Sequence, residues 1–204
     1  MSIAILPAAG SSRRMGAPKL LLPFRGSTVI GATVSALRDG GVERIVVVTA
    51  PGNSDLEAFA AGQGLELALN PQFERGMLST LWAGIAAFGG GPAAQTMATP
   101  LVICPADLPL LRGDTVKRVI AALSQPAGAW LAQPRYGGQS GHPLAIAPAL
   151  VPEILTLDLE VGLRQLRERH AQHLVILEVD DPGCVRDVDT PEDYAALSRG
   201  EDWR

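Results

Sequence analysis

An apolar run, Ile3 to Leu6, is followed by Pro7-Ala8-Ala9-Gly10-Ser11-Ser12 and then by Arg13, Arg14, Gly16 and Lys19. A turn of such small residues can present bare backbone N–H groups to an anion, and the three cations add mobile positive charge beside it. That combination suits a polyphosphate. Carboxylates stand at two other places. Asp107 lies in Pro105-Ala106-Asp107-Leu108-Pro109, straight after the apolar run Leu101–Cys104. Flanking prolines stiffen the backbone there, so its carboxylate can take Mg²⁺ with little loss of freedom. Asp187 and Asp189 precede Thr190-Pro191, a helix cap with proline at the first helical position. On residue type alone, Asp107 can equally be a turn former, and Asp187 and Asp189 plain helix N-terminal carboxylates.

Neither common phosphate fingerprint fits. Five residues separate Gly10 from Gly16 and Lys19 lies three further on, so the Walker spacing fails. A dinucleotide fold wants Gly-x-Gly-x-x-Gly and an acidic residue closing the second strand, whereas that strand closes on Thr49-Ala50-Pro51. Two further motifs stand out. Asn70-Pro71 precedes Gly76-Met77-Leu78-Ser79, where Asn70 ends a strand and Ser79 opens a helix; both can hydrogen-bond a base or ribose, or serve as turn and cap. Gly141-His142-Pro143 closes a glycine-rich stretch, Tyr136 to Pro143, expected to form a mobile loop with His142 at its root. His170 and His173 fall on a polar helical stretch and read as surface residues, and Cys104 reads as a buried core thiol. No arrangement suited to a protein nucleophile is visible.

Ala8-Ala9-Gly10, Arg14-Met15-Gly16 and Lys19-Leu20-Leu21 resemble the signature of the MobA-like nucleotidyltransferases, which include molybdenum-cofactor cytidylyl- and guanylyltransferases. The resemblance runs in motif order from Ile3 to about Leu197. Ala106 replaces the glycine usual before the metal-binding Asp107, and Ser140 replaces an arginine often found before Gly-His-Pro. It implies a nucleotide-diphospho-sugar transferase-like fold and transfer of an NMP group, CMP from CTP, onto a phosphorylated small-molecule acceptor such as molybdopterin cofactor, with release of pyrophosphate. The CTP choice follows Ala9, whose methyl narrows the space beside the base. The implied site has Lys19, Arg14 and Asp107 as catalytic groups and Asp107 and Asp189 as ligands of Mg²⁺. Leu6, Ala8, Ala9, Gly10, Ser11, Ser12, Gly16, Lys19, Asn70, Gly76 and Ser79 bind the nucleotide; Gly141 and His142 bind the acceptor. A partner enzyme receiving the finished cofactor is implied as well. The rival readings are a sugar-1-phosphate nucleotidyltransferase and a non-catalytic nucleotide- or cofactor-binding module.

Positioning these groups falls to alternating elements. Ile3–Leu6, Ile45–Thr49, Leu65–Leu69, Leu101–Cys104 and Leu174–Val179 read as buried strands. Val29 to Leu37 keeps one apolar helical face, Ser54 and Glu57 have capping-box spacing, Leu78–Ala87 is helical in composition, and Asp114 can cap a helix bearing Val116, Val119, Ile120 and Leu123. The expected fold is α/β, three-layered and Rossmann-like, a mostly parallel sheet with helices on both faces and its chemistry at the carboxyl ends of the strands. A single domain over residues 1–199 with a loose tail at 200–204 is expected. Net charge of −4 argues against a nucleic-acid partner, and no apolar run is long enough for a membrane helix. Without a signal-like segment, a cytoplasmic protein is expected.

Overall fold

The computed structural model describes residues 2–10, 18–88, 99–124 and 128–199. Strand β1 (Ile3–Pro7) is followed by a small hairpin, β2 (Pro23–Phe24) and β3 (Ser27–Thr28), then α1 (Val29–Asp39), β4 (Arg44–Thr49), α2 (Ser54–Gly62) and β5 (Glu66–Leu69). Next come α3 (Met77–Ala87), β6 (Leu101–Ile103), α4 (Gly113–Ala122), β7 (Leu131–Tyr136), β8 (Gln139–Ser140) and β9 (Leu144–Ile146). The chain continues through α5 (Val151–Ile154), α6 (Leu163–Arg169), β10 (Leu174–Glu178) and α7 (Pro191–Arg199).

The main sheet has the order β10-β7-β9-β6-β1-β4-β5, with β8 added to β7. β6, β1, β4 and β5 run parallel, as does the β10–β7 pair, while β9 runs antiparallel to both of its neighbours. The expected mostly parallel sheet is therefore present. Period-two alternation divides the core. Ala4, Leu6, Val47 and Val102 face α1, α2 and α4, whereas Ile5, Val46, Leu101 and Ile103 face α3, α5 and α6. Both faces are covered, which is why these strands carry unbroken apolar runs. β1 lies between β4 and β6 at the point where strand order reverses, so the crevice beyond its carboxyl end is the natural ligand site.

Two expected helix starts move, by one residue at α2 and by two at α4. Asn53, not Ser54, caps α2, its side chain accepting from the Leu56 N–H. At α4, Asp114 sits inside the first turn, and the entrance is held from afar by Asp181, which accepts from the Arg112 N–H at 3.0 Å and the Thr115 hydroxyl at 2.6 Å. The Thr190-Pro191 start is as expected, with Thr190 and Asp193 bonding reciprocally in a capping box.

At Gly84, α3 approaches β1 so closely that an added Cβ would lie 2.9 Å from Ile5 Cγ2 and Cδ1. Ile5 is fully buried and β-branched, so it has no free rotamer to yield. Gly84→Ala should therefore destabilise despite alanine's helix propensity. Overpacking of about 1–3 kcal/mol outweighs a propensity gain below about 1 kcal/mol. Thermal unfolding checks this: Tm should fall, and a rise would show that α3 can lift from the sheet.

Candidate active site

Three loops meet beyond the carboxyl ends of β1, β6 and β10. The Asp107 carbonyl accepts from the Val188 N–H at 3.1 Å, stitching the β6 loop to the segment before α7. Val188 is wholly buried with Phe24, Val29 and Leu197 and anchors that segment. Asp187 and Asp189 flank it, and one carboxylate oxygen from each, with one from Asp107, lie within 4.8 Å of one another. Lys19 reaches in from a single 3₁₀ turn, Lys19–Leu21, held down by buried Leu20. Its Nζ donates to Asp107 Oδ2 at 2.6 Å and to Asp189 Oδ1 at 2.7 Å.

Burial of the Lys19 ammonium works against its charge, but the Asp107 and Asp189 carboxylates outweigh that and hold its pKa above the usual lysine value. Asp187 is pushed up by burial and by the negative charge of Asp107 and Asp189. So much negative charge at one point calls for cations. The Lys19 ammonium already occupies one such position, and the all-oxygen donor set suits a hard divalent ion, so these residues fit the implied metal. Beside the cluster opens a cleft of about 620 Å³, walled by Ala8, Ala9 and Gly10 on one side and Phe73, Met77 and Thr80 on the other. That volume lies in the range of small-molecule sites.

Residues 4–174 match the MobA-like NTP transferase domain. The chain belongs to that family. It is 27% identical to the molybdenum cofactor cytidylyltransferase of Escherichia coli (strain K12), over 93% of this chain and 92% of that one. It is 29% identical to the nicotine blue oxidoreductase of Paenarthrobacter nicotinovorans, over 95% and 94%. Among solved structures, Rv0371c of Mycobacterium tuberculosis H37Rv superposes with a TM-score of 0.78 at 28% identity, covering 97% of each chain. A second structure of Rv0371c, in complex with manganese, gives 0.69 at 26%, covering 96% of this chain and 97% of that one.

Within this transferase fold the expected site residues separate into groups. Lys19, Asp107 and Asp189 are in contact, Asp187 joins them, and Ala8, Ala9, Gly10 and Gly76 line the cleft. Arg14, Ser11, Ser12 and Gly16 lie outside the described residues. Leu6 points into the core below α1, and it is Pro7 that lines the cleft. Asn70 and Ser79 sit behind the wall. Asn70 Nδ2 donates to the Ser79 and Thr80 hydroxyls, its Oδ1 accepts from the Gln72 N–H, and the Ser79 hydroxyl reaches the Gly76 and Gln72 carbonyls. Both residues spend their polar groups shaping the turn that carries Phe73 and Gly76. Met77, just after Gly76, is exposed and lines the cleft.

The expected mobile loop at Tyr136–Pro143 is instead a tight hairpin. β8 pairs with β7, the Gly141 N–H donates to the Pro134 carbonyl at 2.8 Å and the His142 N–H to the Cys184 carbonyl at 2.7 Å. Gly141 is pressed against Cys184, where a Cβ would lie 2.6 Å from that carbonyl oxygen. Gly141 thus permits close packing, while Gly137 and Gly138 make the turn at φ 56° and 82°. His142 and Gly141 line a smaller cavity that shares Pro7, Met77 and Pro105 with the main cleft. Cys104 is buried, as expected. Among the described residues, no helix is long and apolar enough to cross a membrane.

Proposed function

We propose that the chain transfers CMP from CTP to a phosphorylated acceptor of the molybdopterin type, with Mg²⁺ as the metal. The observation that carries this is the convergence of Asp107, Asp187 and Asp189 on the Lys19 ammonium at the floor of a nucleotide-sized cleft. The cytidylyltransferase relative supports the acceptor class and the base, and the buried Ala9 methyl beside the cleft supports a pyrimidine. The manganese complex of Rv0371c supports a divalent ion.

In the reaction, an acceptor phosphate oxygen bonds to the α-phosphorus while the bond to the bridging oxygen breaks and pyrophosphate leaves. Positioning and charge control most of such a barrier, so no protein nucleophile is needed. Lys19 offsets charge on the transferring and leaving phosphates. The Ala8 N–H is spent on the Val48 carbonyl at 2.8 Å, so the amide cradle for the triphosphate begins at Ala9 and Gly10. Asp107 and Asp189 would hold the metal, which when bound would neutralise phosphate charge and polarise the α-phosphorus. His142 and Gly141 border the acceptor side.

Pyrophosphate release measured with each of the four NTPs, Mg²⁺ and a panel of phosphorylated acceptors including molybdopterin tests this. CTP should be preferred by about tenfold or more, the scale of one shape mismatch in a base pocket. Equal rates with GTP would remove the role given to Ala9. Pyrophosphate release with sugar 1-phosphates alone would move the chain to that acceptor class, and binding without turnover would make it a carrier.

A further inference from the structure

The cavity beside the nucleotide cleft has a volume of about 190 Å³, below the roughly 300 Å³ of a site that encloses a whole small molecule. It therefore fits a substituent of something seated mainly in the adjoining cleft, with which it shares Pro7, Met77 and Pro105. Its far wall is polar: Gln133, His142 and Arg167. We propose that Arg167, with His142 and Gln133, binds an anionic group of the acceptor, a phosphate monoester in the first instance; this rests on the transferase reading above.

Arg167 lies one turn beyond Leu163 on α6, on the face that borders the cavity. Among the described residues its guanidinium makes one hydrogen bond, a long one of 3.4 Å to Gln133 Oε1. A fork with five donors facing a cavity with one weak partner is built to take more, and phosphate or carboxylate oxygens match its geometry. Gln133 is itself buried at 3% exposure, so it holds its place rather than wandering with solvent. His142 adds the second sign. The residue lines the cavity, and its Nδ1 is buried with no hydrogen-bond partner, an unusual condition for a polar atom.

Electrostatics agree with this placement. Burial lowers the His142 pKa, Asp107 pulls it up and Arg167 pushes it down, so the imidazole feels both the Asp107 carboxylate and the Arg167 guanidinium. A neutral imidazole can still donate one N–H to an anion. An acceptor carrying negative charge must approach three aspartates, and Lys19 is already engaged by two of them. Arg167 supplies the opposing charge on the acceptor's side, between apolar walls where attraction is weakly screened.

The chain has three histidines, so its imidazole ¹H–¹⁵N spectrum is simple and H142Q assigns the His142 signals. Titration with inorganic phosphate should shift those signals. R167Q should weaken the response by roughly 10- to 100-fold, the scale of a charged hydrogen bond, and R167K should fall between because it keeps charge without the fork. Acetate is the second arm: a stronger response to acetate than to phosphate identifies a carboxylate-bearing acceptor within the same anion chemistry. A response in R167Q equal to wild type, or none in the wild type, overturns the site. In turnover, R167Q should raise the acceptor KM by the same factor and leave the NTP KM unchanged. Lower Tm with both constants intact would make Arg167 purely structural. If the wild type releases no pyrophosphate with any NTP, the transferase reading fails, whereas the phosphate titration needs no turnover and reports the anion site separately.

Discussion

Asp107→Asn should lower metal-dependent turnover by roughly 10²- to 10³-fold, the scale of removing one preorganised electrostatic element. Asn keeps the shape and one oxygen but surrenders the charge that binds Lys19 at 2.6 Å and that a divalent ion would need. The fold should survive, because the backbone carbonyl of residue 107 still receives the Val188 N–H and the side chain lies at the cleft rather than in the core. Asp189→Asn should behave alike, since Asp189 also binds Lys19. Asp187→Asn should cost less: Asp187 is the most exposed of the three, and the neighbouring Asp107 and Asp189 charges help to hold its carboxyl above its usual pKa. Initial rates against Mg²⁺ concentration, with circular dichroism as the fold control, measure all three variants. Full activity in Asp107→Asn would remove the carboxylate cluster from the reaction.

The central parallel strands β1, β4 and β6 were legible because each is buried on both faces and so carries a continuous apolar run. β7 was not. Its centre reads Gln133-Pro134-Arg135, and proline removes a ladder N–H, so the segment looks like a loop. It is tolerated because antiparallel pairing with β9 involves Leu131 and Ala132 and stops short of Pro134. Asp107 and Asp189 could be chosen from their motifs, yet nothing local to either says that they approach each other across 82 residues. The buried turn around Val188 and its bond to the Asp107 carbonyl do that. Asn70 misled for the opposite reason. An amide at a strand end suits a ligand and a turn equally well, and only the Ser79 and Thr80 hydroxyls standing over it decide for the turn. Arg167 carried no signal because one arginine among several on a charged helix stands out only once the helix is packed.

Lys19→Ala should lower turnover by about 10²-fold or more, and its second effect is more diagnostic. Without the ammonium, three carboxylates whose oxygens lie within 4.8 Å lose the cation that bridges two of them, so their repulsion opposes folding more strongly. The wild-type pKa of Lys19 is raised by Asp107 and Asp189 against the burial that would lower it. A folded-state value above the unfolded 10.5 means a stabilising contribution that is complete below pH 10.5 and is lost as pH climbs through the folded value. Wild type should therefore be more stable than Lys19→Ala at neutral pH without metal, and the difference should shrink in strong alkali. Mg²⁺ should reverse much of the loss, because in the variant Nζ no longer competes for the Asp107 and Asp189 carboxylates, whereas in the wild type the ion must share them with it. The metal-induced rise in Tm should then be larger for Lys19→Ala than for wild type, although the variant remains slow. An equal rise in both would mean that the ion does not use the carboxylates that hold Lys19, and the metal would have to be sought elsewhere in the cleft.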